Sequence, residues 1–260
     1  MRKVTTHILF ALALILTPAA VHADTQMKTI VLEAHDGDRI HGYIYQNSKV
    51  EKNAPIALLM HGLTGASLHW IADGFPMYGG NLTDSLIEKG YRVVAIDARA
   101  HGARKNDMSP YARVKAARKG EPGSYKSMIE NTIDDYNTLI ADLQREFPEA
   151  EHLVAIGYSM GAQMAVLLSA ENPAVTHLVT MVPPFVENVP AVAPINHAAD
   201  VKVPWLLMTA NKDQFSTPEE NARLVAKISS PLDHKSFDSG HVLPVEYLTV
   251  VTSWIADIAN

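Results

Sequence analysis

Cysteine is absent from the 260 residues, so neither a disulfide nor a cysteine-attached lipid can stabilise or anchor the chain. The sequence also lacks a phosphate-binding Gly-Lys loop, a dinucleotide-binding Gly-x-Gly-x-x-Gly motif and a His-Glu-x-x-His zinc motif. Its histidines are scattered, and we therefore expect no cofactor and no metal. The net charge is −6 at pH 7, which argues against a general nucleic-acid-binding protein.

A long apolar run is lacking everywhere except near the start of the chain. Residues 1–3 carry two positive charges, residues 8–16 are apolar, and residues 21–23 offer small side chains for cleavage. This order predicts a secretory signal peptide over residues 1–23 and a periplasmic or secreted protein, with a retained membrane anchor as the alternative. No later run is long enough for a transmembrane segment.

Residues 24–260 alternate between short β-rich runs and helical patterns, which is typical of a mostly parallel sheet covered by helices. The run at 56–60 is apolar throughout, as expected of a strand buried on both faces. Similar runs recur at 92–96, 153–158, 178–182, 205–209 and, more weakly, 235–237. The sequence predicts an opening hairpin around an Asp-Gly turn and a single α/β domain over 24–260, with about eight strands.

The segment Gly157-Tyr158-Ser159-Met160-Gly161 joins one of these strands to a helical pattern. A serine at such a turn needs a strained backbone, and the flanking glycines leave room where side chains would collide. The turn also places Ser159 at a helix N-terminus, where the dipole and free N–H groups stabilise negative charge. These properties suit a nucleophile.

This segment resembles the nucleophile elbow of the α/β-hydrolase family, and the order of strands and helices is similar over essentially all of residues 24–260. The resemblance implies an α/β-hydrolase fold in which a serine nucleophile, an acid and a histidine follow in that order. Asp213 comes after the run at 205–209, and His241 comes after the last predicted strand. The resemblance therefore assigns Ser159 as nucleophile, Asp213 as the orienting acid and His241 as the base.

Several other residues compete for the acid and base roles, namely Asp200, Asp233, Asp238 and His234. Asp238 lies only three residues before His241, which makes a side-on geometry awkward. His234 precedes the predicted strand at 235–237. We also expect Gly240 to let the loop turn back toward Ser159.

The oxyanion of a tetrahedral intermediate needs two hydrogen-bond donors. The resemblance implies the backbone N–H of Met160 as one donor and that of Leu63, in the loop after the third strand, as the other. The neighbouring His61 side chain is interpreted as structural.

The segment Asp97-Ala98-Arg99-Ala100-His101-Gly102 is similar to the family's Asp-x-Arg-Gly-x-Gly pattern but has Ala100 where glycine is usual. This departure leaves the geometry of the turn open. Asp97 and Arg99 are interpreted as structural residues that hydrogen-bond nearby loops.

The proline-rich interval 183–203 predicts a short lid or none, which favours small or soluble acyl substrates. Trp70, Phe185 and Phe215 are candidates for an apolar substrate pocket, and core packing is the alternative for such side chains.

Positive charge is concentrated in segment 104–119, which carries Arg104, Lys105, Arg113, Lys115, Arg118 and Lys119. One hypothesis is that this segment attracts an anionic substrate or a cell-envelope surface. The alternative is a solvated insertion without a function.

Together these features favour a carboxylesterase-like serine hydrolase that acts on a small-molecule acyl substrate through an acyl-enzyme. A peptidase, thioesterase, lactonase or perhydrolase could use the same residues. A non-catalytic binding protein with this fold is the alternative from another class.

Overall fold

The apolar runs of the sequence form the strands of one sheet in a computed structural model, which describes residues 24–72, 74, 77–256 and 258. The strands of this part of the chain are β1 (Thr25–Glu33), β2 (Arg39–Asn47), β3 (Ile56–Met60), β4 (Arg92–Ile96), β5 (Leu153–Tyr158), β6 (His177–Met181), β7 (Trp205–Ala210) and β8 (Leu232–Phe237). Their order across the sheet is β1-β2-β4-β3-β5-β6-β7-β8. Strands β3 to β8 run parallel, and the β1–β2 hairpin is attached to β4 by an antiparallel pairing. The predicted sheet is confirmed.

The opening hairpin turns at the predicted Asp-Gly pair. Gly37 has φ 82°, a left-handed conformation that glycine adopts at little cost. The Ala34 amide donates to the Asp38 carbonyl at 2.8 Å and closes the turn.

Helices cover both faces of the sheet. They are α1 (His69–Ala72), α2 (Gly79–Glu88), α3 (Pro110–Arg118), α4 (Gly123–Glu146), α5 (Met160–Glu171), α6 (Pro194–His197), α7 (Pro218–Val225) and α8 (Tyr247–Trp254). One face of α4 is apolar and buried along its length, at Ile129, Ile133, Tyr136, Ile140 and Leu143. The interval between β6 and β7 holds only a short 3₁₀ turn and the four-residue α6, as expected for a short lid.

The sheet lies between two apolar layers, and its central strands are therefore buried on both faces. In β3, Leu58 and Met60 face the layer that contains α4 and α5, whereas Ala57 and Leu59 face the layer that contains α2 and α8. The carboxyl ends of β3 to β8 meet at one edge, which is where open α/β sheets place their ligand sites. No helix in the described ranges is long and apolar enough to cross a membrane. The predicted signal peptide, residues 1–23, lies outside them.

Candidate active site

Ser159 occupies the turn between β5 and α5 in a strained conformation. Its φ of 56° and ψ of −120° lie outside the usual regions for a residue with a side chain, at a cost of about 1–3 kcal/mol. Two backbone hydrogen bonds hold it there: the Ser159 amide donates to Met181 O at 2.9 Å, and the Gln163 amide donates to Ser159 O at 3.0 Å. The hydroxyl is therefore presented at the sheet edge by a fixed backbone.

Two glycines make this turn sterically feasible. A Cβ on Gly157 would overlap the carbonyl of Gly161, and a Cβ on Gly161 would overlap the carbonyl oxygen of Met60 in β3. The loop at Gly240 does bring His241 to Ser159, but without the left-handed backbone that would call for glycine. The φ of Gly240 lies outside the left-handed region, and an added Cβ would meet Lys212 O at 3.7 Å, an ordinary van der Waals contact. Neither a left-handed φ nor a close contact therefore favours glycine at position 240.

Three side chains from separate elements form a continuous hydrogen-bonded chain, which we call the serine chain. The Ser159 Oγ lies 2.7 Å from His241 Nε2, and His241 Nδ1 lies 2.8 Å from Asp213 Oδ2. The buried Asp213 carboxylate also accepts the Phe215 amide at 2.8 Å. Since Nδ1 faces a carboxylate, the network assigns the proton to Nδ1 and leaves Nε2 to accept the serine proton.

The position of His241 depends on contacts that the sequence did not reveal. The Tyr158 hydroxyl donates to His241 O at 2.9 Å and accepts the Leu243 amide at 2.9 Å. Burial raises the pKa of Tyr158 to about 12, so this hydroxyl stays neutral. The Phe215 ring meets the His241 ring edge-on with centroids 4.6 Å apart. The only sequence signal for Tyr158 is its place beside Ser159 in the motif.

The loop after β3 lies against the serine. A Cβ on Gly62 would be 3.5 Å from Ser159 Cβ and 4.0 Å from its Oγ. His61 Nδ1 and the Gly65 amide each lie 2.9 Å from Gly62 O, so the Gly62–Leu63 peptide is held from its carbonyl side. The N–H of this peptide belongs to Leu63, and neither it nor the N–H of Met160 donates to another described residue. Both amides are therefore available to an oxyanion beside Ser159.

His61 is held in one protonation state by its partners. The Ala98 amide donates to Nε2 at 3.0 Å, which leaves the proton on Nδ1 for Gly62 O. Complete burial, with His101 nearby, lowers the pKa of His61 to about 4. His61 is thus a neutral structural residue of the loop, as its interpretation from the sequence proposed.

The segment after β4 forms a turn with a left-handed residue, although alanine stands where the family pattern has glycine. Ala100 has φ 65°, a left-handed conformation that costs a residue with a Cβ about 1 kcal/mol. Asp97 accepts the Ser67 amide and hydroxyl and the Ala103 amide, each at 2.8 Å. His101 joins this segment to the β3 loop, with Nε2 2.7 Å from Leu63 O.

A second polar group, here called the arginine cluster, consists of Arg99, Arg104, Asp36, Asp38 and Asp135. The Asp135 carboxylate, fully buried on α4, pairs with Arg99 Nε at 2.7 Å and with Arg104 Nη1 at 2.6 Å. The outer sides of both guanidiniums pair with the hairpin acids. The hydrogen bond from Arg99 and its positive charge hold the pKa of Asp36 well below its usual range.

This cluster corrects the interpretation of segment 104–119 as one field of positive charge. The Arg104 side chain is 1% exposed and neutralised in the cluster. Arg113 donates to Met108 O, Ser124 O and Asn106 Oδ1. Lys105, Lys115, Arg118 and Lys119 remain exposed. Part of the segment is the ordered helix α3 rather than an irregular insertion.

The three predicted pocket residues do not share one place. Phe185 and Phe215 line a cavity of about 290 Å³, and Phe215 also contacts the His241 ring. Trp70 is 1% exposed and packs in the apolar layer that contains α2 and α8. The prediction for Trp70 was wrong because its ring is covered by core side chains and cannot touch a substrate.

The rival residues lie away from the serine. His234 is inside β8 rather than before it, and its Nε2 is 2.9 Å from Thr209 Oγ1. The rival acids are exposed, namely Asp200, Asp233 and Asp238. Among the described residues, no group of three or more histidine, aspartate or glutamate side chains could hold a metal ion.

Comparison with known proteins assigns the chain to one family. A family model described as "Serine aminopeptidase, S33" matches residues 68–197, half of the chain, a span that includes Ser159. A curated relative, an uncharacterized protein from Rickettsia prowazekii (strain Madrid E), is 23% identical over 194 residues, covering 72% of this chain and 68% of its own.

Solved structures share the fold. A cold-adapted esterase from an Arctic intertidal metagenomic library matches with a TM-score of 0.73 at 16% identity, covering 92% of this chain and 96% of that one. An acetyl xylan esterase from Paenibacillus sp. R4 matches with a TM-score of 0.71 at 14% identity over 94% and 87% of the two chains. An esterase from Pyrococcus furiosus matches with a TM-score of 0.66 at 19% identity over 89% and 92%. At these identities the likeness shows the fold alone.

Proposed function

The chain belongs to the S33 serine aminopeptidase family of α/β-hydrolases, and on that premise we propose that it hydrolyses carboxylic esters through an acyl-enzyme on Ser159. The observation that carries the proposal is the serine chain, in which Ser159, His241 and Asp213 are linked at 2.7 and 2.8 Å. A serine hydroxyl needs an adjacent base and an orienting acid to become nucleophilic, and this geometry provides both.

In the proposed mechanism, Ser159 Oγ attacks the carbonyl carbon while its proton passes to His241 Nε2. The oxyanion accepts hydrogen bonds from the Leu63 and Met160 amides, and Asp213 stabilises the imidazolium that forms. His241 then gives the proton to the leaving alcohol oxygen as the C–O bond breaks. Water, deprotonated by His241, attacks the acyl-enzyme and releases the carboxylate.

An ester is favoured over a peptide substrate by the charge beside the site. An aminopeptidase must bind the ammonium group of a free N-terminus, which calls for an unengaged carboxylate. The acid that lines the cavity, Glu220, has one oxygen bound to the Thr217 amide at 2.8 Å in a helix cap, which restricts its orientation but not its charge. The exposed Arg118 at the same cavity would repel an ammonium group.

The test is an activity profile across nitrophenyl esters of graded acyl length, together with matched amides and thioesters. We expect ester hydrolysis to dominate, and Ser159→Ala to lower kcat by at least about 10⁴-fold. Ser85→Ala, a serine on α2 far from the sheet edge, serves as the matched control and should retain full activity. Hydrolysis of amides in preference to esters would contradict the ester assignment. Activity retained in Ser159→Ala would contradict the mechanism.

We also propose that the protein is exported, because the order of charge, apolar run and small residues over 1–23 is that of a signal peptide. Expression of the full chain in a bacterial host, followed by N-terminal sequencing of the periplasmic fraction, tests this. A mature N-terminus near Asp24 is expected, and an intact Met1 in the cytoplasm would contradict it.

A further inference from the structure

The cavity lined by Phe215 has both apolar and polar walls, and its polar side chains are Arg118, Asn188, Gln214, Thr217 and Glu220. Phe185 and Phe215 come from the loops after β6 and β7, Val114 and Ala117 come from α3, and Tyr125 comes from α4. Its volume of about 290 Å³ is near the lower limit of ligand pockets. Such a space suits a short hydrocarbon chain.

The walls of this cavity are tied to the helix that carries the serine. The Tyr125 hydroxyl donates to Gln163 Oε1 at 2.7 Å, and Gln163 Nε2 donates to Val192 O at 2.7 Å. The Phe185 amide donates to Phe215 O at 2.9 Å and joins the two loops. The cavity is therefore preformed and fixed relative to Ser159, rather than dependent on closure of a lid.

The position of Phe215 decides which part of a substrate faces the cavity. Its ring contacts the His241 ring at 4.6 Å and lines the cavity as well. His241 must place its proton on the leaving oxygen, so the alcohol part of an ester lies on the His241 side of Ser159. The cavity is consequently next to the alcohol part, on the leaving-group side.

The cavity has an available positive charge at its rim. Arg118 lines it, and neither Arg118 nor its exposed neighbours Lys115 and Lys119 has an ion-pair partner in the part of the chain that the structure describes. Glu220 also lines the cavity and accepts the Thr217 amide at 2.8 Å, but this neutral donor leaves the carboxylate charged, and no ion pair joins Glu220 to Arg118 among the described residues. A guanidinium binds carboxylate and phosphate oxygens with two parallel hydrogen bonds.

We propose that this cavity is a leaving-group subsite for alcohols with a short apolar chain that ends in an anionic group, and that Arg118 binds that group. The proposal rests on the proposed ester hydrolysis and names its substrate class. Arg118 is a specificity residue and takes no part in bond cleavage.

The experiment compares two acetate esters, hexyl acetate and the acetate ester of ω-hydroxyhexanoate, which differ only at the end of the alcohol chain. Both form the same acetyl-enzyme, so a difference in KM reports on the alcohol part. We expect Arg118→Gln to raise the KM of the anionic ester about fivefold, the upper range for an exposed ion pair, and to leave hexyl acetate unchanged. Raising the salt concentration should weaken the wild-type preference through screening.

Lys119→Gln is the matched control, because Lys119 is an exposed cation on the same segment that does not line the cavity. It should change either KM by less than about twofold. The subsite is overturned if the wild type does not favour the anionic ester, or if Arg118→Gln and Lys119→Gln behave alike. A dependence on Arg118 seen with anionic acyl groups instead, such as the nitrophenyl monoester of adipate, would overturn the leaving-group assignment.

Nitrophenyl acetate separates this proposal from the proposed function, since it has no anionic chain. Turnover of nitrophenyl acetate, together with no effect of Arg118→Gln on the KM of the anionic ester, refutes the subsite alone. If no ester is hydrolysed, the proposed function fails. Calorimetric titration of ω-hydroxyhexanoate into Ser159→Ala and into Ser159→Ala/Arg118→Gln then still tests the subsite, with binding expected to be about fivefold weaker in the latter. Equal binding by the two variants would overturn the subsite.

Discussion

The serine chain and the arginine cluster lie at the same edge of the sheet and use their polar groups in opposite ways. In the arginine cluster Arg99 pairs with three carboxylates and Arg104 with two, and Asp135 is buried between them. In the serine chain the hydrogen bonds are donated in one direction, from Ser159 through His241 to Asp213. Ser159 lies at the open end of this chain, and the Leu63 and Met160 amides have no partner among the described residues. Charged groups that are fully paired hold a loop in place, whereas a hydroxyl and amides with free hydrogen-bonding capacity can act on a substrate.

The largest expected effect comes from breaking the serine chain at its acid. Asp213→Asn keeps the shape and can still accept the Phe215 amide, but it no longer stabilises the imidazolium or fixes the His241 tautomer. We expect kcat to fall on the order of 10³–10⁴-fold. Chemical denaturation should show a change in the free energy of unfolding below about 1.5 kcal/mol. A large loss of stability with little loss of kcat would place Asp213 among the structural charges.

An Asp→Asn substitution in the arginine cluster should lower the free energy of unfolding and leave kcat nearly unchanged. Asp135→Asn leaves Arg99 and Arg104 without their shared buried counter-charge, and we expect the free energy of unfolding to fall by about 3 kcal/mol. The folded fraction should retain kcat within about threefold, because no atom of Asp135 contacts the serine chain. Asp142→Asn, which breaks an exposed pair with Arg145 on the same helix, is the control and should cost less than about 1 kcal/mol.

A smaller effect is expected on the pH dependence of stability, and it comes from His61. This residue contacts Ala98 in the segment after β4 and Gly62 in the loop beside Ser159. Its pKa is about 4 in the folded protein and 6.5 in the reference state, so between these values the unfolded chain binds the extra proton. Stability from this group is complete above about pH 6.5 and is lost as the pH falls toward 4, by at most about 3 kcal/mol.

His61→Asn keeps a donor near Nδ1 and removes this titration. The variant's free energy of unfolding should therefore fall less than that of the wild type between about pH 7 and pH 5. The exposed His35→Asn is the control. Equal slopes for wild type and His61→Asn would show that His61 is not held neutral by burial.

The centre of the sheet was predictable because β3 to β7 are buried on both faces, and such strands appear in the sequence as uninterrupted apolar runs. β3, β4 and β5 begin and end where those runs do. β8 was predicted too short, since this edge strand exposes Asp233 to Ser236 and carries no apolar run. Helix α3 was missed although Ser109 and Pro110 form a regular helix start, because charge dominated the interpretation of that segment.

Within the site, chain order and the glycine motif led to residues that the structure brings together. Ion-pair and packing partners that are distant in the sequence could not be deduced from chain order or from a motif. Arg104 is neutralised by Asp135 and Asp38, which lie far from it in the sequence, so its charge was counted as available. The burial of Trp70 likewise depends on α2 and α8 packing over it, which composition alone does not reveal.

The most direct test of the account is the site of reaction with a fluorophosphonate, which reacts only with an activated serine. Intact-mass measurement and peptide mapping should show one adduct, on Ser159, and its formation should slow in proportion to the loss of kcat in Asp213→Asn. Absence of an adduct in the wild-type protein, or an adduct that persists in Ser159→Ala, would contradict the central claim that Ser159 is an activated nucleophile.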